Sequence, residues 1–298
     1  MKMLTTTTTT KPTTSSRFEH RFGVCVAISF GAIAVDEFVE WVELNRLLGV
    51  TEINIYDGNL TASKTADVLD FYQKSGVVRV VPMPPPVPVP ADERRKLDAI
   101  KVASPASLND CMMRNMYRYE FVIVVDFDEF IIPRRHRDYA ALLAHIDRMY
   151  KLRVPHHTYT FRNVYFFKEF GVVAGASPPS NPPLRSAVYR RRVRPSGRGF
   201  APKSFVDPRQ CLSVFNHFCY IRLPTSGPYA GQRYLDVSPQ VAASHHYRRC
   251  TFAGDRCPKL FKERTNDDVT LRFVAELKPR VDAVLRYLTN FRWTSALQ

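Results

Sequence analysis

Apolar positions change their spacing several times along the first half of the chain. Gly23–Ser29 (GVCVAIS) is continuously apolar, the pattern of a strand buried on both faces. Over Asp36–Leu48 the spacing becomes helical, with Phe38, Trp41, Val42, Asn45 and Leu48 recurring near one face. Gly49 follows where a left-handed terminating residue belongs. Ile53–Tyr56 predicts a second strand, closed by the turn-forming Asp57-Gly58-Asn59. Ser63–Lys74 predicts a helix closed by Gly76, and Val77–Val81 a third strand. Ser104-Pro105 supplies an N-cap and a first-turn proline for a helix striped by Leu108, Met112, Asn115, Met116 and Tyr119. Phe121–Val125 (FVIVV) then predicts a central strand covered on both sides.

Strands separated by helices predict an α/β fold with a mostly parallel central sheet and a Rossmann-like N-terminal half. Ligands of such sheets bind beyond the carboxyl ends of the strands. Asp138–Met149 predicts another helix. Beyond it, short β-like runs (Thr158–Phe167, Ala187–Val193, Leu212–Ile221) alternate with loops rich in Pro, Gly and Arg, and Asp267–Asn290 turns helical again. Residues 1–19 form a threonine-rich, low-complexity lead that predicts disorder. Residues 20–298 read as one domain, with a nucleotide-binding half over 20–135 and an acceptor-side half over 136–298. Pro82–Pro90 carries six prolines in nine residues and predicts an extended connection.

Candidate chemistry sits directly after FVIVV, in Asp126-Phe127-Asp128-Glu129-Phe130. Alternation along an extended chain would turn Asp126 and Asp128 to the same side. Two carboxylates at the end of a buried strand are costly unless a cation compensates them. A hard divalent ion, Mg²⁺ or Mn²⁺, with positions open to phosphate oxygens suits that place. A calcium loop of the EF-hand type is excluded, because the required glycine and spaced oxygen ligands are missing. No GxxxxGK[ST] and no GxGxxG occurs, which argues against P-loop and dinucleotide chemistry.

Composition redirects the search for partners. Of 298 residues, 45% are hydrophobic and 24% charged, which excludes a wholly disordered, collagen-like or multi-span membrane chain. The charge is unusual: 43 Lys+Arg against 28 Asp+Glu leave +15, a balance that favours polyanions. Much of the excess lies in Arg185–Arg209, with eight basic residues and one acid, Asp207. That stretch reads either as a solvated loop face or as a surface for acidic acceptors or anionic membrane. No RRM, KH or zinc-finger pattern surrounds it, so nucleic acid is disfavoured. The longest early apolar run, Gly23–Val35, is too short to span a bilayer. Six cysteines without CxxC spacing disfavour structural zinc. Cys25 and Cys111 read as buried thiols, whereas Cys211/Cys219 and Cys250/Cys257 lie in loop-rich sequence and can pair in an oxidising compartment.

Several ordered blocks resemble glycosyltransferase family 92, formerly DUF23. They are Glu40-Trp41, Leu48-Gly49-Val50, Ile55-Tyr56-Asp57, Asn109-Asp110-Cys111 with Arg114, and Val125-Asp126-Phe127-Asp128-Glu129-Phe130 with Pro133. Lys203-Ser204-Phe205-Val206, His217 and Ser244-His245-His246-Tyr247-Arg248 continue the series. The resemblance implies a GT-A type fold, a UDP-sugar donor, Mn²⁺, and inverting transfer, commonly of galactose, to a glycan acceptor on a glycoprotein or glycolipid. It also implies a Golgi, membrane-associated setting, although no anchor segment precedes the domain. Ser104-Pro105 departs from the glutamine-bearing helix start common in the family.

On this reading Asp126, Asp128 and His246 would hold the metal, with His246 at the family's His-Tyr-Arg position and His245 turned to the other face. Asp126 would also meet the diphosphate, Asp57 and Tyr56 the uracil or ribose, and Arg114 the nucleotide. An inverting transfer needs one general base on the acceptor side. Glu169, Asp207, Asp236 and Asp255 are the candidates, and Glu169, after the aromatic strand, is preferred. Two rival functions are a nucleotidyltransferase, for which no glycine-rich triphosphate turn is present, and a non-catalytic polyanion-binding protein on the same fold.

Overall fold

The computed structural model describes residues 20–31, 33–60, 63–84, 93–150, 157–173, 182–223 and 234–295. The threonine-rich lead and most of the proline-rich connection lie outside these residues. The alternation expected of the first half is present: β1 (His20–Phe30), α1 (Val35–Leu47), β2 (Glu52–Asn59), α2 (Ser63–Lys74), β3 (Val78–Pro82), α3 (Glu93–Arg114) and β4 (Tyr119–Val124). The second half adds β5 (Glu129–Pro133), α4 (Tyr139–Met149), β6 (Thr158–Phe161), β7 (Asn163–Phe167), α5 (Arg185–Val188), β8 (Arg191–Arg192) and β9 (Lys203–Val206). It continues with β10 (Cys211–Val214), β11 (Cys219–Arg222), β12 (Leu235–Val237), β13 (Ala242–Arg248), α6 (Arg256–Phe261), β14 (Thr265–Asn266) and α7 (Val274–Ser295).

The central sheet has seven strands in the order β12-β6-β9-β4-β1-β2-β3. β4, β1, β2 and β3 run parallel to one another. β9 is inserted antiparallel between β4 and β6, and β12 runs parallel to β6. This is the mixed α/β architecture, mostly parallel, expected of a GT-A type chain. A three-stranded sheet, β5-β13-β7, stands beside it. It is joined to the central sheet by the short turn between β4 and β5, so that turn lies where two sheets meet.

Local chemistry explains the element ends. Gly49, at φ +100°, takes the left-handed position after α1. Asp138 caps α4 by accepting the Ala141 N–H at 2.8 Å. Phe38, Trp41, Val42, Leu44 and Leu48 are buried, as the helical spacing predicts. One start was misplaced. α3 begins at Glu93 and runs through Pro105: residues 93–103 hold no glycine or proline to stop a helix, and the helix tolerates the bond and the ring contact that Pro105 costs it. Ser104 is therefore not a cap. Its carbonyl accepts the Ser107 hydroxyl, whose oxygen accepts the Ile28 N–H of β1 at 3.0 Å.

The cysteine reading needs a second correction. Cys25 of β1 and Cys111 of α3 are buried, as their apolar surroundings suggest, but they form a disulfide across 86 residues of sequence. Helix-on-sheet packing creates that pairing, and it leaves no local trace. Cys211–Cys219 and Cys250–Cys257 close short loops. Non-reducing denaturation followed by alkylation should therefore label none of the six cysteines, as read by intact mass. Any alkylated fraction would show an open pair. Among the described residues no helix is long and apolar enough to cross a membrane.

Candidate functional site

β4 ends at Val124, and Asp126-Phe127-Asp128 form a tight turn before Glu129 opens β5. The Glu129 N–H donates to the Asp126 carbonyl at 3.1 Å, and the Asp126 N–H donates to Glu129 Oε2 at 3.1 Å. The two aspartates thus occupy a turn rather than alternate positions of a strand, and each meets a different partner.

Neighbouring elements clamp the backbone of this turn. Trp41 of α1 donates its indole N–H to the Glu129 carbonyl at 2.9 Å. Arg185, only 4% exposed, donates to the Phe127 carbonyl at 3.0 Å and pairs with Glu37 at 3.0 Å. The Tyr247 N–H of β13 donates to the Asp128 carbonyl at 2.8 Å. Phe127 packs edge-on against Phe38 and Trp41, at 5.4 and 5.2 Å between ring centres. Glu40, buried in α1, accepts the N–H groups of Arg185 and Ser186 and so fixes the start of α5. Burial pushes its carboxyl above the usual range, against the Arg185 charge.

Strand register then delivers the side chains. β9 pairs antiparallel with β4, Ser204 opposite Val124, which carries Lys203 to the turn. Its ammonium is fully buried and donates to Asp126 Oδ2 at 2.9 Å, Glu129 Oε2 at 2.8 Å and the Asn216 carbonyl at 3.1 Å. All three donors are used. β13 places His246 opposite Glu129 on one side and Tyr165 on the other. His246 Nε2 lies 3.0 Å from Asp128 Oδ2, and Nδ1 lies 3.0 Å from Glu129 Oε1. Asn163 Nδ2 approaches that same Nδ1 at 3.2 Å.

Burial opposes charge throughout this cluster, yet the partners prevail at three of its members. Burial would raise Glu129, but Lys203 and His246 hold it well below the usual carboxylate range. Burial would lower Lys203, but Asp126 and Glu129 raise it above its ordinary value. His246 is likewise pushed up to about 9 against its burial, chiefly by Glu129 and by its bond to Asp128. Asp126 goes the other way: hydration lost on the side that faces Lys203 raises it, and the Glu129 and Asp128 charges add to the effect, although 41% of the side chain stays exposed. His245, on the opposite face of β13, is driven down to about 3 by burial and stacks on Phe166.

The His246 shift implies a pH-dependent stability. Its folded value lies above the ordinary 6.5, so the stabilisation is complete below about pH 6.5 and is lost as pH rises through about 9. The shift corresponds to on the order of 3 kcal/mol. Urea denaturation in EDTA should show wild type losing that amount between those limits relative to His246→Gln. Parallel curves for the two proteins would refute the coupling.

Three carboxylates against one ammonium leave two uncompensated negative charges once His246 is neutral. Asp128 and His246 then present an oxygen and a nitrogen 3.0 Å apart, a donor pair able to chelate one divalent ion. Among the described residues no group of three or more His, Cys, Asp or Glu stands ready as a metal cage.

The remaining sequence candidates sit apart from this cluster. Tyr56 donates its hydroxyl to Asp110 at 2.6 Å, and Arg114 donates to the same carboxylate at 2.6 Å. Burial and Asp110 raise the Tyr56 phenol above its ordinary value. Asp57 accepts the Leu60 N–H at 2.7 Å. Tyr56 and Asp57 lie in the last half of β2, which runs on to Asn59 instead of turning at Asp57, near the carboxyl ends of the strands where Asp126 also lies and two strands away, about 10 Å. Glu169, exposed on the turn after β7, accepts the Cys250 N–H at 3.1 Å. Two residues that matter here, Glu129 and Lys203, received no role from the sequence. The available signal was a lysine opening the apolar strand Lys203-Ser204-Phe205-Val206, since a buried ammonium requires carboxylate partners.

The arginine-rich stretch is resolved as well. Arg185, Arg190, Arg192, Arg194, Arg198 and Arg209 each pair with a carboxylate, as does Lys203. Arg191 donates to the Phe170 carbonyl. The local density of charge is therefore mostly internal neutralisation.

The sequence model of glycosyltransferase family 92 matches residues 20–286. The chain belongs to glycosyltransferase family 92. Membership identifies it as a glycosyltransferase and places the acidic turn, Lys203 and His246 inside the family-wide match. No curated protein matches the sequence. Among solved structures, GalNAc-T7 with UDP, GalNAc and Mn²⁺ is similar at 13% identity and a TM-score of 0.37, covering 80% of this chain and 45% of that one. The 4-diphosphocytidyl-2C-methyl-D-erythritol synthase of Anaerococcus prevotii is similar at 12% identity and a TM-score of 0.27, covering 63% of this chain and 70% of that one. This family 92 chain thus spans less than half the length of the GalNAc-T7 chain.

Proposed function

We propose that this family 92 enzyme is a metal-dependent, inverting transferase that moves a sugar, galactose by family resemblance, from a UDP-sugar to a glycan acceptor. The observation that carries the reading is the contact of Asp128 with His246 beyond the carboxyl end of β4, beside carboxylates already compensated by Lys203. Asp128 and His246 would hold Mn²⁺ or Mg²⁺, with Asp126 beside them. When bound, the ion would supply positive charge to the diphosphate and offset the charge of the departing UDP. Tyr56, Asp57 and Arg114, on the same sheet edge, would face the nucleoside.

Glu169 is the proposed general base. It is anchored to Cys250, four residues beyond His246 along the chain, an extended reach of about 13 Å. Residues 20–298 act as one transferase domain in this reading, and its Golgi, membrane-associated setting rests on the family resemblance.

Purified protein should turn over one UDP-sugar, UDP-galactose first, in the presence of Mn²⁺ and lose that activity in EDTA. Equal turnover with and without metal would remove the metal role. No turnover of any UDP-sugar with either ion would remove the catalytic reading and favour the non-catalytic, polyanion-binding alternative.

A further inference from the structure

A second concave site lies at the other end of β5. Arg46 and Leu47 close α1, Arg135 and Arg137 follow β5, and Arg272, Phe273, Glu276 and Arg280 come from the turn before α7 and its first half. Together they line a cavity of about 400 Å³. Five guanidiniums face one carboxylate there, an excess of four positive charges. The acid turn begins β5 at Glu129, whereas this cavity begins beyond Pro133, about 16 Å along the strand.

Its cations, Arg46 apart, differ from those of Arg185–Arg209 in lacking anionic partners. Among the described residues, Arg135, Arg137 and Arg280 make no ion pair, and Glu276 makes none with Arg280 although they lie one helical turn apart. Arg272 is held in place by backbone oxygens, donating to the carbonyls of Pro133, Arg134 and His136. Those bonds fix a guanidinium without neutralising it. Only Arg46 has a carboxylate, Glu43. The neighbouring His136 registers the resulting field: burial lowers its affinity for a proton, and His145, Arg272, Arg148 and Arg135 lower it further. The amino end of the 22-residue α7 adds its positive dipole to the same cavity.

We propose that this cavity binds a small ligand bearing two or more clustered phosphate monoesters. Guanidinium forks match phosphate oxygens bidentately. Each monoester carries about 1.5–2 negative charges at neutral pH, so a pair offsets the charge left once Arg46 is set against Glu43. The cavity volume exceeds what a single phosphate needs and falls in the range of small-molecule sites. The source is either a soluble phosphate ester or the headgroup of a phosphorylated inositol lipid.

Calorimetric titration of the intact protein with inositol trisphosphate, in EDTA to keep metal out of the acid turn, tests the site. Saturable one-to-one binding is expected, weakening at higher salt. The double variant Arg137→Gln, Arg280→Gln should weaken it by about tenfold or more, because two charge-assisted contacts are lost. Arg194→Gln, which removes a paired arginine elsewhere, should leave it unchanged, and UDP-sugar turnover should be equal in all three proteins. Absence of saturable binding to wild type, or equal affinity in the double variant, would overturn the assignment. Co-sedimentation with phosphatidylcholine vesicles containing phosphatidylinositol bisphosphate, lost in the double variant, assigns the site to a lipid headgroup. Binding of the soluble probe without co-sedimentation assigns it to a free phosphate ester.

Discussion

Lys203→Met is expected to destabilise the protein by about 3–5 kcal/mol, the usual result of removing one member of a buried charge cluster. Methionine fills nearly the same volume, so the loss reports charge rather than a cavity. The native ammonium is fully buried and is the partner of both Asp126 and Glu129. The Glu129 side chain is 2% exposed and cannot turn to water, whereas Asp126, at 41%, can. Above about pH 9, where His246 is neutral and no longer draws on Glu129, adding Glu129→Gln should therefore recover most of the loss, because Asp126 has access to solvent. Urea denaturation of the two single variants and the double variant measures this coupling directly. A single-variant loss below about 1 kcal/mol would mean that water already hydrates the cluster.

This cluster also shows where sequence reasoning reached its limit. The first half was legible because parallel strands buried on both faces read as unbroken apolar runs, and because α1 shows its stripe and Gly49 its stop. The acidic turn was legible as chemistry but not as geometry. Asp126 and Asp128 diverge because the chain leaves β4 one residue before the first of them and turns at once. Partners that face the turn come from β9 and β13, 74 or more residues later, and strand pairing of that range has no local signature. Lys203 and Glu129 satisfy each other across such a distance, as do Cys25 and Cys111.

Charge was misleading for the same reason. The arginines that crowd together in sequence, from Arg185 to Arg209, separate in space onto Glu37, Asp267, Asp268, Glu263, Asp236 and Asp207. Of the arginines left without an acid, Arg135 and Arg137 follow β5 while Arg280 comes more than 140 residues later, and they converge only when the end of β5 meets α7. A count over a window measures density, whereas a binding surface depends on which charges remain unpaired after folding. The positive balance that first suggested a polyanion therefore survives, with a different address.

Asp128→Asn is expected to lower kcat/KM for UDP-sugar transfer by about 10³-fold, on the order of 4 kcal/mol of transition-state stabilisation. The amide keeps the shape of the side chain and can still meet His246, but it carries no charge to offer a divalent ion or to balance against a leaving diphosphate. Fold should be little affected, because the turn is held through the Phe127, Asp128 and Glu129 carbonyls rather than through this carboxylate. Asp126→Asn should cost less, since that side chain already spends one oxygen on Lys203. An independent readout separates the charge from general damage: His246 owes part of its raised value to Asp128, so its NMR titration should move downward in Asp128→Asn. Full activity in Asp128→Asn with the His246 titration displaced would detach this carboxylate from catalysis while leaving the cluster intact. Lost activity with an unmoved titration would break the link between Asp128 and His246 on which the proposed metal site rests.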